Sequence, residues 1–238
     1  MTDFLLVHGA CHGAWCWADL LPELLRLGHT ARAIDLPGMG EDTTPIDDIT
    51  LASSAQAVVS VCSPKTLVVG HSWGGLVAAE AAGMAPGCMT GLVLLATYVP
   101  LPGHSLADLR QGSPRPASSA ALRRSEDKRT VYVGREDGRT LFYNTCRPSA
   151  QDYALDRLCP QPVVPQLEKA ALGEGYDAVP KSFILTKRDH TILPDYQRQM
   201  AESWPPERMY EMDTDHSPFL SDPAGLAAIL HRIAGEEA

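Results

Sequence analysis

Short apolar runs alternate with longer helical patterns along this chain, and that alternation limits its fold more than any other feature. Residues 4–8, 30–35, 66–70, 91–97, 181–187 and 208–212 read as strands. Residues 17–27, 51–62, 72–84, 194–202 and 223–236 read as helices; the first carries Leu20, Leu21, Leu24, Leu25 and Leu27 and closes at Gly28. Continuously apolar strands such as Phe4-Leu5-Leu6-Val7 suit burial on both faces of a parallel sheet. The order predicts an α/β fold, a mainly parallel sheet flanked by helices, with ligands binding beyond the C-terminal ends of the strands. A chain of 238 residues fits one such domain.

The alternation stops after the fourth strand and resumes at Lys181. Residues 98–180 far exceed the ~2–6 residues that ordinarily connect α/β elements, so they are expected to form an inserted cap subdomain on a core made of 1–97 and 181–238. Within the insertion, Gln111-Gly112-Ser113-Pro114-Arg115-Pro116 reads as a mobile link, and 123–129 as a solvated charged face. Residues 130–133 and 139–143 read as the arms of a small hairpin, and 149–158 as a helix with Ser149 as its N-cap.

Charge and composition narrow the partners. With 20 Lys and Arg against 29 Asp and Glu, the net charge is −9, a poor match for phosphate, and no nucleic-acid partner is expected. No apolar run approaches the ~20 residues that span a bilayer, and Met1-Thr2-Asp3-Phe4 lacks a basic n-region, so neither membrane nor signal peptide is expected and a cytoplasmic location is. The six cysteines include no Cys-x-x-Cys pair and read as free thiols. Cys11, His12 and Cys16 share one loop without a second cluster, so no metal site is expected.

The chemistry concentrates in Gly70-His71-Ser72-Trp73-Gly74, which leaves an apolar strand and opens a helix. In that context a G-x-S-x-G sequence makes a sharp turn that lifts the serine hydroxyl above the sheet edge. A hydroxyl needs a base to become a nucleophile. His216 follows the last strand and therefore stands at the same edge. The acid that orients it is assigned to Asp189, just past the 181–187 strand; Asp195, Asp213 and Asp215 are its rivals. An oxyanion site is expected at the backbone N–H of Trp73 and, from the loop after the first strand, that of Ala10. His8 reads as structural, and Trp15 and Trp17 as packing beneath that loop.

These residues resemble the α/β-hydrolase superfamily, more narrowly the plant methylesterase and hydroxynitrile lyase group with its bacterial carboxylesterase relatives. The likeness is carried by His8-Gly9-Ala10-Cys11-His12-Gly13-Ala14-Trp15, Gly28-His29, Gly70-His71-Ser72-Trp73-Gly74-Gly75, Tyr98-Val99-Pro100, Lys187-Arg188-Asp189 and Asp215-His216. In the insertion, Phe142-Tyr143-Asn144 and Arg157-Leu158-Cys159-Pro160-Gln161-Pro162 resemble cap segments of bacterial members. The resemblance implies Ser72 as nucleophile, His216 as base, Asp189 as its partner, a cap over the pocket and no cofactor. Lyases of this group carry threonine where Gly9 stands and lysine directly after the catalytic histidine, where this chain has Ser217. Both departures point to an esterase of small, largely apolar esters. Carbon–carbon cleavage with the same triad and a ligand-binding protein with residual turnover are the alternatives. A small-molecule ester is the expected partner, and a homodimer is left open.

Overall fold

The computed structural model describes residues 1–113 and 121–236, and six of the described strands form one parallel sheet. They are β1 (Asp3–Val7), β2 (Thr30–Ile34), β3 (Thr66–His71), β4 (Gly91–Leu95), β8 (Lys181–Thr186) and β9 (Met209–Met212), in the spatial order β2-β1-β3-β4-β8-β9. All five neighbouring pairs are parallel. The α/β class read from the sequence is the class observed.

Period-two alternation along the strands divides the core in two. Phe4, Leu6, Leu67, Val69, Val93, Leu95 and Ile184 face one side, where Leu20 and Leu24 of α1 (Leu20–Arg26) and Leu226, Leu230 and Ile233 of the C-terminal helix Pro223–Glu236 cover them. Leu5, Val7, Val68, Leu92, Leu94, Phe183 and Leu185 face the other, covered by α2 (Leu51–Val61) and α3 (Trp73–Met84). Because both faces are covered, β3 and β4 are buried at every position. The edge strand β2 is only half-buried and carries Arg32, which suits a strand with one unpaired side.

Register aligns the strand ends. Val7 pairs with both Ile34 and Gly70, His71 with Leu95, and Thr186 with Met212. The loops after β1, β3, β4, β8 and β9 therefore open at one edge. Chain direction across the sheet reverses between β1 and β3, the position at which open α/β sheets form a ligand crevice.

Residues 96–180 leave the sheet at this edge. Their β5 (Leu122–Arg124), β6 (Thr130–Val133) and β7 (Gln161–Pro162) make an antiparallel sheet; the short helix Leu106–Gln111 precedes it, and Arg135–Phe142 and Pro148–Leu155 lie between β6 and β7. The hairpin expected from 130–133 and 139–143 is corrected: β6 pairs with β5 through the turn at 125–129, and 135–142 is helical. Gly138, which suggested a turn, sits inside that helix; a Cβ there would stand 2.9 Å from Leu155 Cδ2, so its absence lets two helices approach. The next helix begins at Pro148, with Arg147 rather than Ser149 at its N-cap position, because proline is preorganised for a first helical turn. Arg123 and Arg124 are exposed on β5, while Pro114, Arg115 and Pro116 of the expected link lie outside the described residues. Among the described residues no helix is long and apolar enough to cross a membrane, and the six cysteines are free thiols.

Candidate active site

Ser72 stands between β3 and α3 with φ 50° and ψ −119°, a backbone conformation that costs a non-glycine residue about 1–3 kcal/mol. Neighbouring structure holds it there. Its N–H donates to Leu95 O at 3.0 Å, and its carbonyl accepts from Gly75 N at 3.0 Å and from Thr97 Oγ1 at 2.6 Å. The motif's second glycine is steric: a Cβ on Gly74 would lie 2.5 Å from His8 O, so α3 passes too close to the end of β1 for a side chain. The 12-residue helix places its positive end beneath Ser72.

The loops after β8 and β9 bring Asp189 and His216 together. His216 Nδ1 lies 2.8 Å from Asp189 Oδ2, and both side chains are buried. Asp189 accepts four further hydrogen bonds. Thr191 N and Ile192 N reach Oδ1 at 2.7 and 2.9 Å, while Thr186 Oγ1 and Gln197 Nε2 reach Oδ2 at 3.0 and 2.9 Å. The rival carboxylates point elsewhere. Asp195 is exposed beside Arg198, and Asp213 is exposed beside Arg188. Asp215 is buried, but it accepts from Thr145 N at 2.8 Å, Ser217 N at 3.0 Å and Ser221 Oγ at 2.9 Å, tying the insertion to the histidine loop.

Ser72 and His216 line one cavity with Ala10, His12, Tyr98 and Phe142. The backbone N–H groups of Ala10 and Trp73 have no acceptor among the described residues. The Trp73 indole does not line this cavity; it belongs to the buried cluster that includes Leu5, Val7 and Leu76. Trp15 stacks on His12, and Trp17 packs on Phe219 with ring centroids 4.8 Å apart, as expected of packing beneath the loop.

Three other histidines lie buried in this region, and two of them, His12 and His71, line the cavity. His8 Nδ1–H donates to Gly9 O, and its Nε2 accepts from Leu36 N. His12 Nδ1–H donates to Ala10 O at 2.7 Å, and its Nε2 accepts from the Tyr143 hydroxyl at 2.7 Å. His71 Nε2–H donates to His216 O at 2.8 Å. The sequence marks Tyr143 only as part of a cap segment, with no role, and does not single out Gln197; a tyrosine and a glutamine carry no signal that separates a buried hydrogen bond from a solvated one.

Burial keeps these three imidazoles neutral. It lowers the pKa of His8 and His71 and takes His12 down to about 3. In the unfolded chain they protonate near 6.5, so between that value and the folded ones the unfolded state binds more protons. Stability is thus complete above pH 6.5 and is lost as pH falls below it. Thermal melts are expected to show Tm declining from about pH 6.5 downward, ahead of carboxylate protonation near ~4. A Tm constant from pH 7 to 5 would contradict this.

Residues 4–229 match the family described as "Alpha/beta hydrolase family". Methylesterase 2 of Arabidopsis thaliana is 32% identical over 258 residues, covering 97% of this chain and 95% of the relative. The crystal structure of another Arabidopsis methylesterase superposes with a TM-score of 0.84 at 26% identity, covering 99% of this chain and 100% of that one. A pyrethroid hydrolase from Sphingobium faniae shares the fold, with a TM-score of 0.86 at 22% identity and 98% and 97% coverage. The resemblance read from the motifs therefore holds along nearly the whole sequence, and the chain belongs to the alpha/beta hydrolase family.

Proposed function

We propose that the protein is a serine carboxylesterase of small, largely apolar esters, with Ser72 as nucleophile, His216 as general base and Asp189 as the base's partner. The observation that carries this reading is the buried 2.8 Å contact between His216 and Asp189 at the rim of a cavity that Ser72 also lines. Family membership and the methylesterase relatives support the carboxylesterase class.

Asp189, supplied only with donors, fixes the proton of His216 on Nδ1 and leaves Nε2 to take the serine proton. Ser72 attacks the ester carbonyl, and the developing oxyanion is held by the N–H groups of Ala10 and Trp73 at the head of α3. His216 then protonates the leaving alcohol. Water, activated by the same imidazole, attacks the acyl-enzyme and releases the acid. Residues 98–180 act as the cap. Their hold on the site includes Tyr143 to His12, Thr145 to Asp215 and the Asn144 Nδ2 bond to Arg188 O at 3.1 Å.

Position 9 separates the esterase reading from cyanohydrin cleavage. A Cβ on Gly9 would lie 2.7 Å from His71 Nδ1 and 3.0 Å from Ser72 Cβ, so the threonine of the lyase pattern does not fit this loop. Ser217 after His216 is neutral and buried, and supplies no cation for departing cyanide. Purified protein is expected to hydrolyse phenyl acetate and to cleave mandelonitrile slowly, compared as kcat/KM at one near-neutral pH after subtraction of spontaneous decay. Enzymatic cyanide release faster than phenol release would replace the esterase reading with the lyase one.

A further inference from the structure

We propose that the cavity holds a carboxylate subsite formed by Arg110 and Tyr98, and that the preferred esters are monoesters of short dicarboxylic acids. The inference rests on the esterase reading of Ser72 and adds the substrate class. Its basis is the set of donors left uncommitted. Leu106, Leu122 and Phe142 give the cavity an apolar wall. Beside Ser72 and His216, which the esterase reading uses, His12 engages both ring nitrogens, Cys11 Sγ donates to Val131 O, and Thr191 Oγ1 donates to Leu141 O at 2.9 Å; His71 donates its Nε2–H to His216 O, so its unpartnered Nδ1 is an acceptor and not a donor. Arg110 and Tyr98 remain. Tyr98 is 5% exposed, and its buried hydroxyl has no hydrogen-bond partner among the described residues.

Arg110 is partly buried, and the one hydrogen bond of its guanidinium among the described residues is a 3.5 Å contact from Nη2 to Gln166 Oε1. A guanidinium carries five N–H donors. No carboxylate pairs with it among the described residues. Its neighbour Asp108 is committed to Ser105, accepting from both the backbone N–H and the hydroxyl. The two groups sense each other: burial pushes the Tyr98 phenol up to about 12, opposed by the Arg110 charge, and burial lowers Arg110 itself. A partly desolvated cation and an unpartnered hydroxyl lining one cavity are costly without an acceptor. A carboxylate answers both, accepting charge-assisted bonds from the planar fork and one more from the phenol. The net charge of −9 repels anions at long range, but salt screens that field beyond ~8 Å, and inside the cavity the local cation prevails.

The test uses matched pairs that differ only by carboxylate for methyl: monomethyl succinate against methyl butyrate, monomethyl glutarate against methyl valerate, and monomethyl adipate against methyl hexanoate. In a pH-stat at pH 7.5, at least one pair is expected to favour the hemiester by about tenfold in kcat/KM. Arg110→Met should reduce that ratio to near or below one, Arg110→Lys should retain part of it, and Tyr98→Phe should lower it several-fold. Neutral esters favoured in every pair, or a ratio unaltered by Arg110→Met and Tyr98→Phe, would overturn the subsite. Calorimetric binding of the hemiesters to Ser72→Ala reads the subsite without turnover. Binding that Arg110→Met abolishes, in a protein that hydrolyses no ester, would uphold the subsite and reject the esterase reading. Hydrolysis of the neutral esters without hemiester preference would do the reverse.

Discussion

Alanine at position 72 is expected to lower ester turnover by ~10³-fold or more while the protein stays folded. The bonds that hold the turn at Ser72 run through its backbone, to Leu95 O, Gly75 N and Thr97 Oγ1, and none of them uses the hydroxyl. The substitution therefore removes the hydroxyl and leaves the strained turn in place. Activity that survives should come from the Ala10 and Trp73 amides and from binding alone. A serine-directed phosphonate should label the wild-type protein at Ser72, located by mass spectrometry of its peptides, and should fail to label Ser72→Ala. An active Ser72→Ala protein with an unchanged melting curve would remove Ser72 from the mechanism.

The sheet was legible because its signal is local. Strands buried on both faces are continuously apolar, and outside the insertion the helices between them are long enough to show their own period. That sufficed to put Ser72, Asp189 and His216 at one edge. The insertion was less legible because its elements are short and owe their form to distant partners. Residues 135–142 begin Arg-Glu-Asp-Gly, a good turn by composition, yet they are helical because the glycine admits the following helix. Choosing among the carboxylates needed geometry for a related reason. Asp189 and Asp215 both follow a strand end, and both are buried. What distinguishes them is the direction in which each loop turns its side chain, toward His216 in one case and toward Thr145 in the other. Gln197 was invisible for the same reason. It lies on the helix Pro194–Met200 between Arg198 and Asp195, both exposed, while its own amide is fully buried. That amide donates to Asp189 Oδ2 and Ile192 O and accepts from Thr186 N.

Asp189→Asn is expected to cost about 10⁴-fold in kcat, the scale seen when a triad acid loses its charge. The reason is the count of donors. Asp189 meets five of them: two backbone N–H groups at Oδ1, and Thr186, Gln197 and His216 at Oδ2. An asparagine NH₂ would face donors in either orientation. Turned toward Thr191 and Ile192, it leaves two buried amides unsatisfied, a loss of about 1–3 kcal/mol each in stability. Turned toward His216, it offers a donor where Nδ1 already carries its proton, so the imidazole moves that proton to Nε2 and can no longer accept one from Ser72. Either outcome lowers turnover, and the second does so without unfolding the protein. Asp195→Asn, exposed beside Arg198, should leave turnover nearly unchanged. Asp215→Asn should lower the melting temperature, because Asp215 ties Thr145 to Ser217 and Ser221, yet turnover per folded molecule should fall far less than in Asp189→Asn. Circular dichroism gives the folded fraction of each variant, and kcat is normalised to it. If Asp215→Asn lost more turnover per folded molecule than Asp189→Asn, the acid of this site would be Asp215, and the 2.8 Å contact at His216 would have to be read as structural.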